Sequence, residues 1–351
     1  MELIPLLEQA KTSRGALSHA GLVFLLSLER REDLEALFAA AYDVKCRFIG
    51  RNVSLRGLIE MGNICSKDCY YCGIRRSNCK VSRFQLTPDD VVAMAMEAYH
   101  ARYGSIAIQS GEIESDAHTA MITEILRKIS AATNGGLGIT LSLGEQTEDV
   151  YRQWFEAGAH RYLLRIEEAN EARYRALHPA EGHDYQRRSA CLDTLRRIGY
   201  QVGSGMMIGS PGQTDEHLYE DIRFLEELQP QMIGIGPFLP ATNTPFENHS
   251  PGSADKTILM LSLLRLRFPN VLLPATTALA TLCSNGMERA ILAGANVVMP
   301  NVSPVEQRKK YSIYDNKKST GAESAQQMQQ LENRLNAIGY HIDYGRGDYR
   351  N

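Results

Sequence analysis

The sequence has little of what marks the simplest functional classes. Cysteine is sparse and odd in number, seven in 351 residues, which argues against a disulfide scaffold, and nothing at the amino end reads as a secretion signal. Long apolar runs are missing. The longest early one, Gly21-Leu-Val-Phe-Leu-Leu-Ser-Leu28, is far short of the roughly 20 residues that cross a bilayer. There is no surplus of positive charge either: 38 Lys and Arg stand against 41 Asp and Glu, a net charge of −3. A nucleic-acid binder needs a cationic surface, so that class is disfavoured. The expectation is a cytoplasmic protein in a reducing compartment, without nucleic-acid or membrane partners. Its 44% hydrophobic share is ordinary and supports a large core.

What is there is concentrated. Three of the cysteines fall in Cys65-Ser-Lys-Asp-Cys69-Tyr-Tyr-Cys72, after an extended run at Leu55 to Met61 and before the basic Gly73-Ile-Arg-Arg76. Three thiolates this close can converge on one small metal object. An iron–sulfur cube takes four ligands, usually all cysteine. With three supplied, one iron is left open, which is the mark of a working site. The spacing Cys-x3-Cys-x2-Cys, with the aromatic Tyr71 before the last cysteine, resembles that of the radical S-adenosylmethionine (SAM) enzymes, in which the open iron binds SAM. A zinc knuckle with Cys79 as fourth ligand is the competing reading, and its spacing does not match the usual paired pattern. Cys46, Cys191 and Cys283 sit singly and read as buried, inert residues.

Residues 1–50 carry Leu and Ala at helical spacing and read as a helical packing cap. Beyond them, short apolar runs alternate with amphipathic stretches, the pattern of βα units on a parallel sheet. Strands are expected at Ser54 to Met61, Ser105 to Gln109, Leu137 to Leu143, His160 to Arg165, Gln201 to Ile208, Met232 to Gly236, Val271 to Leu273 and Asn296 to Met299. Helices are expected between them, the first opened by Thr87-Pro as N-cap and first helical residue. Gly158, Gly199 and Gly294 stand where helices should stop. Eight strands alternating with helices fit a complete (β/α)8 TIM barrel over 51–302. The remainder, 303–351, reads as an extension closing the barrel, with a helix from Gly321 to Ile338 and a surface tail over the last dozen residues.

In such a barrel the residues after each strand share one cavity. Ser110-Gly111-Glu112 follows strand two; the glycine allows close backbone approach to a ligand, although the run is also an ordinary turn. Thr140 and Ser142 share a strand face and offer two hydroxyls to a polar ligand, or to each other's surroundings. Arg165 and Glu167 share another. An arginine entering a barrel is costly unless it is paired or bound to an anion, and Glu167 is either its partner or a ligand for ribose hydroxyls. Arg188 is a candidate for the carboxylate of SAM, against a plain solvated charge. Met206-Met207, Pro237-Phe238 and Pro274-Ala-Thr276-Thr277 make the other side apolar, which suits radical chemistry; the two methionines serve equally well as core filling.

The cysteine loop with Gly-Ile-Arg-Arg76, then Gln-Ser-Gly-Glu112, Thr-Leu-Ser-Leu-Gly-Glu145, Tyr-Leu-Leu-Arg165, Gly-Ile-Gly-Pro-Phe238, Pro-Ala-Thr-Thr277 and Gly-Ala-Asn-Val-Val-Met-Pro-Asn301 together resemble the HydE family, the radical SAM maturases of [FeFe]-hydrogenase. The likeness runs over roughly residues 50–315. It implies a [4Fe-4S] cluster on Cys65, Cys69 and Cys72, and SAM cleaved reductively to methionine and a 5′-deoxyadenosyl radical. By the same resemblance Tyr71, Thr140, Ser142, Glu167 and Arg188 fall on SAM-contacting positions, and Ser110, Gly111 and Glu112 are expected beside them from their place after strand two. Arg165, Thr276 and Thr277 fall on the substrate cavity, with Met206 expected in its lining, and Tyr311 and Tyr314 match tyrosines near the radical, where Arg165 is also expected to act. The implied substrate is an iron carbonyl cyanide complex bound to cysteine and made by HydG. The implied partners are the HydG and HydF maturases and a low-potential donor such as ferredoxin or flavodoxin. Two departures stand out. Tyr311 to Met328 lacks the three cysteines that hold an auxiliary cluster in some relatives, so no second cluster is expected. Ile113-Glu-Ser-Asp116 replaces an aromatic-rich run. The alternatives are an amino-acid mutase like methylornithine synthase and a non-catalytic iron–sulfur carrier.

Overall fold

The computed structural model describes residues 2–12, 17–317 and 325–350. The chain is laid on β1 (Asn52–Gly62), the longest strand, buried from Leu55 onward. The other strands are β2 (Ser105–Ser110), β3 (Gly138–Ser142), β4 (Arg161–Leu163), β5 (Gln201–Ser204), β6 (Met207–Ile208), β7 (Met232–Ile233), β8 (Gly236–Pro237), β9 (Val297–Val298) and β10 (His341–Asp343). The main ladder runs β10-β1-β2-β3-β4-β5-β7, and β9 also pairs with β1; β6 and β8 pair separately. All these pairs are parallel, with Leu58 beside Ala107, Ala107 beside Thr140 and Thr140 beside Arg161. The result is a curled parallel sheet of TIM-like form.

Alternation along the strands sorts the side chains into two shells. Ile59, Ile106, Ile108, Ile139, Leu141 and Tyr162 join the apolar core with the helices, while Leu58, Gln109, Ser142 and Leu163 line an inner cavity. Helices Pro88–His100, Asp116–Ala132, Glu148–Glu156, Tyr185–Ile198, Asp215–Leu228 and Ala254–Arg267 follow the strands, each opened by a side-chain cap from Thr87, Ser115, Thr147, Asp184, Thr214 or Ser253. These oxygens satisfy donors that a helix start leaves bare. Gly158, Gly199 and Gly294 take positive φ at the helix ends, where a side chain would be strained. In the amino-terminal region, helices Leu3–Thr12, His19–Leu26 and Arg31–Phe48 bury Leu22, Leu25, Leu37 and Ala40 in the same core.

Four expectations change. The run Gln201 to Ile208 breaks into β5 and β6 at Gly205, where a Cβ would lie 2.0 Å from Gly234 O; Met232 to Gly236 breaks opposite it, into β7 and the start of β8. Val271 to Leu273 forms no regular strand and makes single parallel bridges, Met232 to Leu272 and Pro274 to Val297. Pro269 and Pro274 flank it, and neither has an N–H for a ladder. Short helices Glu171–Leu177, Thr277–Leu282 and Val305–Lys310 were not foreseen. The expected surface tail is not free: over residues 341–350 it is docked, with β10 paired to β1, Asn52 beside His341. Beyond it, Asp348 reaches Arg161 at 2.9 Å and His160 at 3.0 Å. Arg161 Nη2 donates to Arg346 O (2.9 Å) and Arg56 Nη1 reaches Met232 Sδ (3.3 Å), so this segment floors the sheet. The expected helix from Gly321 begins among residues outside those described; Ala325–Ala337 is helical. Among the described residues no helix is long and apolar enough to cross a membrane.

Candidate active site at the mouth of the sheet

Above the strand ends lies a cavity of about 360 Å³. Cys65, Cys69 and Cys72 line it, on the loop that leaves β1, together with Tyr71, Ser110, Gly111, Glu112, Ser142, Arg165, Glu167, Arg188, Thr276, Thr277, Tyr311 and Tyr314. The cysteine loop is stitched to the turn after β2. Ser66 N–H donates to Glu112 O (2.8 Å), Glu112 N–H reaches Cys65 Sγ (3.4 Å) and Gly111 N–H donates to Gly62 O (3.1 Å). A Cβ on Gly111 would stand 2.2 Å from Ile64 O, so only glycine lets the two loops meet. Ser110 Oγ stays local, donating to Gly111 O (2.6 Å).

The polar wall is a closed charge network. Arg188 Nη1 lies 3.0 Å from Glu145 and 3.3 Å from Glu112, and Lys67, between two of the cysteines, lies 3.1 Å from each of the same carboxylates. Arg187 adds a longer contact, its Nε 3.5 Å from Glu145, so three cations face two buried anions. Burial pushes the Glu112 carboxyl up against the pull of Arg188. The Glu145 carboxyl, also pressed up by burial, ends below its usual range because Arg188 and Lys67 outweigh that pressure. Arg188 Nε also donates to Arg165 O (2.9 Å). Arg165 and Glu167, expected on one strand face, lie past the end of β4; Glu167 has φ +67°. They pair at 3.0 Å, and Arg165 Nη2 donates to Met206 O (2.7 Å). Arg165 Nε is buried without a hydrogen-bond partner.

On the far side, Tyr311 OH accepts from Gln109 Nε2 (2.9 Å) and Tyr314 OH pairs with Thr277 Oγ1 (3.0 Å). The half-buried Lys317 pairs with Glu60 and lies 4.7 Å from the centre of the Tyr311 ring. Two expected residues stand off the cavity wall. Thr140 is buried below Ser142, its hydroxyl without a partner, and Met206 is buried while Met207 takes its place on the wall. The alternation that pairs Thr140 with Ser142 holds, but the cavity reaches only the upper of the two.

Sequence reasoning missed Lys67, Gln109, Glu145, His178 and His183, all at the mouth. Lys67 and Glu145 were in quoted motifs, and Gln109 follows Ala107 by alternation; nothing marked the two histidines. His178 Nδ1 faces Tyr174 O (2.8 Å), which only accepts, so Nδ1 carries the proton and Nε2 accepts from Tyr71 OH (3.1 Å). Burial, then the neighbouring His183, brings His178 down to about 3; burial, then Lys67, brings His183 to about 4.

The cysteines fit an iron–sulfur cube better than a single ion. Donors around one tetrahedral ion with sulfur bonds of about 2.3 Å sit about 3.8 Å apart, and the three sulfurs do not all fall within 4.8 Å of one another. Burial pushes the thiols of Cys65, Cys69 and Cys72 up, that of Cys72 to about 12, so as thiolates they need a cation to compensate them.

Comparison with known proteins agrees. The Radical SAM superfamily matches residues 59–225. The chain is 39% identical over 316 residues to the "[FeFe] hydrogenase maturase subunit HydE" of Thermotoga maritima, covering 90% of this chain and 88% of that protein. Among solved structures, methylornithine synthase PylB superposes with a TM-score of 0.79 at 23% identity, covering 96% of this chain and 97% of that one. The maturase HydG from Carboxydothermus hydrogenoformans gives 0.81 at 19% identity, covering 97% and 79%. These two establish the fold alone. By the extent and identity of the first match, the chain is a radical SAM enzyme and belongs to the HydE family.

Proposed function

We propose that this chain is an [FeFe]-hydrogenase maturase that uses SAM at a [4Fe-4S] cluster held by Cys65, Cys69 and Cys72, in a complete (β/α)8 barrel capped by residues 1–50 and closed by 303–351. The bridges through Leu272 and Pro274 support the eighth stave, since they join β7 to β9 and so back to β1. When bound, cluster and SAM supply reductive cleavage to methionine and a 5′-deoxyadenosyl radical. The chain's own residues hold and orient. Glu112, Ser142, Glu167 and Arg188 form the polar half of the cavity, suited to the amino-acid and ribose groups of SAM. Tyr71, its hydroxyl spent on His178, offers its ring, and Ser110, Gly111 and the deeper Thr140 support that half. Thr276, Thr277, Tyr311 and Tyr314 form the other half with Met207 in place of Met206, and Arg165 stands between the halves with an unspent Nε donor.

The observation that carries the reading is that one cavity joins the three cysteines, a polar wall with Glu112, Ser142, Glu167 and Arg188, and the side lined by Thr276, Thr277, Tyr311 and Tyr314. A carrier protein has no use for such a wall. The substrate is read as the HydG-derived iron(CO)2(CN)–cysteine complex, whose carboxylate suits the free Nε of Arg165. HydG, HydF and a ferredoxin or flavodoxin are its expected partners in the cytoplasm, and no second cluster is proposed.

The test is anaerobic reconstitution with iron and sulfide, then dithionite and SAM, following 5′-deoxyadenosine or an adenosylated product with and without the iron–cysteine complex. Formation accelerated by the complex supports the maturase. Cleavage indifferent to it shifts the reading to an amino-acid substrate, and a cluster that never cleaves SAM makes the chain a carrier. Iron well above four per chain would contradict the single cluster.

A further inference from the structure

Among the described residues, Cys69, His178 and His183 form a group of three metal-ligating side chains whose donor atoms all lie within 4.8 Å of one another, and the trio Cys65, Cys69 and Cys72 does not. The two groups share Cys69 and differ in scale. A tetrahedral ion with bonds of about 2.0–2.3 Å places its donors about 3.3–3.8 Å apart, so side-chain shifts of about 1 Å would complete a site for one ion. The second group also has the support that metal-binding histidines carry, a backbone carbonyl orienting the ring through its other nitrogen. Tyr174 O does this for His178 Nδ1. The ring planes of His178 and His183 are only 34° apart with centroids at 4.9 Å, and both residues line the cavity. His183 Nε2 now accepts from Asp68 N–H at 3.0 Å; ligation through that atom exchanges one backbone hydrogen bond for a coordination bond.

We propose that Cys69, His178 and His183 hold a single borderline divalent cation, such as Fe2+, Co2+ or Zn2+, in the chain that lacks its cube. Thiolate with imidazole is the donor set such ions prefer over Mg2+ or Ca2+. Because Cys69 serves both, the ion and the cube exclude each other. The site therefore belongs to the chain before cluster assembly or after cluster loss, where it holds one metal ion at the position the cluster must take. This inference stands apart from the choice of substrate above.

Co2+ is the probe, titrated anaerobically into the full-length apo chain. The expected result is one Co2+ per chain, with a thiolate-to-cobalt charge-transfer band and the intense visible bands of tetrahedral cobalt. His178→Asn keeps a donor for Tyr174 O, and His183→Gln keeps an acceptor for Asp68 N–H. Each should weaken binding at least tenfold, and Cys69→Ala should remove the charge-transfer band. Cys65→Ala and Cys72→Ala should bind as the parent does. Loss of the ion in those two variants would assign it to the cysteine trio and overturn the proposal, as would undiminished binding when both histidines are replaced. The histidines are tested singly as well as together, so misfolding of one variant leaves the other to decide.

Discussion

The two ends of the sheet both bury charge, and they do it differently. At the mouth, Lys67, Arg188 and the more exposed Arg187 face Glu112 and Glu145, three cations against two anions drawn from separated segments and arranged around a cavity. At the floor, Arg56 and Arg161 are buried with Asp348 as the carboxylate near them, and their other contacts are backbone carbonyls, a methionine sulfur and, for Arg161, the His160 ring at 3.1 Å. Burial drives Arg161 down to about 10 and Arg56 well below its ordinary value. The network at the mouth lines an open cavity; the floor closes the fold around one late-arriving segment. Buried charge alone therefore does not identify a site. Its place beside an open cavity is what sets the mouth apart.

The largest test of this contrast is at the mouth. Cys69→Ala should abolish both cluster formation and SAM cleavage, while Cys283→Ala leaves both intact, read as iron content and 5′-deoxyadenosine; equal loss in the two would mean the cluster is misplaced. Next comes a matched pair. Arg188→Met leaves two buried carboxylates to Lys67 and the longer contact of Arg187 with Glu145 and should cost about 3 kcal/mol in urea unfolding, with SAM binding weakened at least tenfold by calorimetry. Asp348→Ala should cost about 1–2 kcal/mol, discounted because that carboxylate is partly in water, and should leave SAM affinity unchanged. A floor variant that lost SAM binding would collapse the distinction.

Acid should separate the ends further. His178 is neutral in the fold and has its pKa at about 3, whereas an unfolded histidine titrates near 6.5. Below pH 6.5 the unfolded chain takes up the extra proton, so the stability present in full above that pH falls as pH drops. At pH 5 the loss is about 2 kcal/mol from His178, and His178→Asn should flatten the decline of the apo chain between pH 7 and 5 by that amount. Asp348 is held below its usual range, chiefly by the hydrogen bond with His160, so its contribution is kept above about pH 4 and goes only in stronger acid. The smallest effect is expected at Cys79, exposed beside the cluster loop. Cys79→Ser should shift stability by less than about 0.5 kcal/mol and leave iron content unchanged, whereas iron loss would revive a fourth cysteine ligand.

Most of the βα order was legible because each unit writes its own signals, an apolar run, a cap such as Thr87 or Thr214, and a closing glycine such as Gly199. The cysteine loop was legible because its residues are consecutive. Reading failed where partners are distant. The tail 341–350 is polar and rich in glycine, the composition of a solvated end, and only its contacts with β1 and Arg161 hold it on the sheet. His178 and His183 carried no local periodicity, and their meaning comes from Cys69, more than a hundred residues earlier. Met206 and Met207 show the limit of alternation, since the break at Gly205 decides which of the two faces the cavity.

The placement of β1 has a consequence for how the protein is made. One edge of this strand finds β2 soon after synthesis, but the other waits for β9 and β10. On a ribosome adding about 5–20 residues per second, the roughly 235 residues between Gly62 and Val297 take about 10–50 s. For that interval the nascent chain presents an apolar strand with an open edge, a target for chaperones and for other chains. Its folding rate should be governed by this late closure more than by its helices.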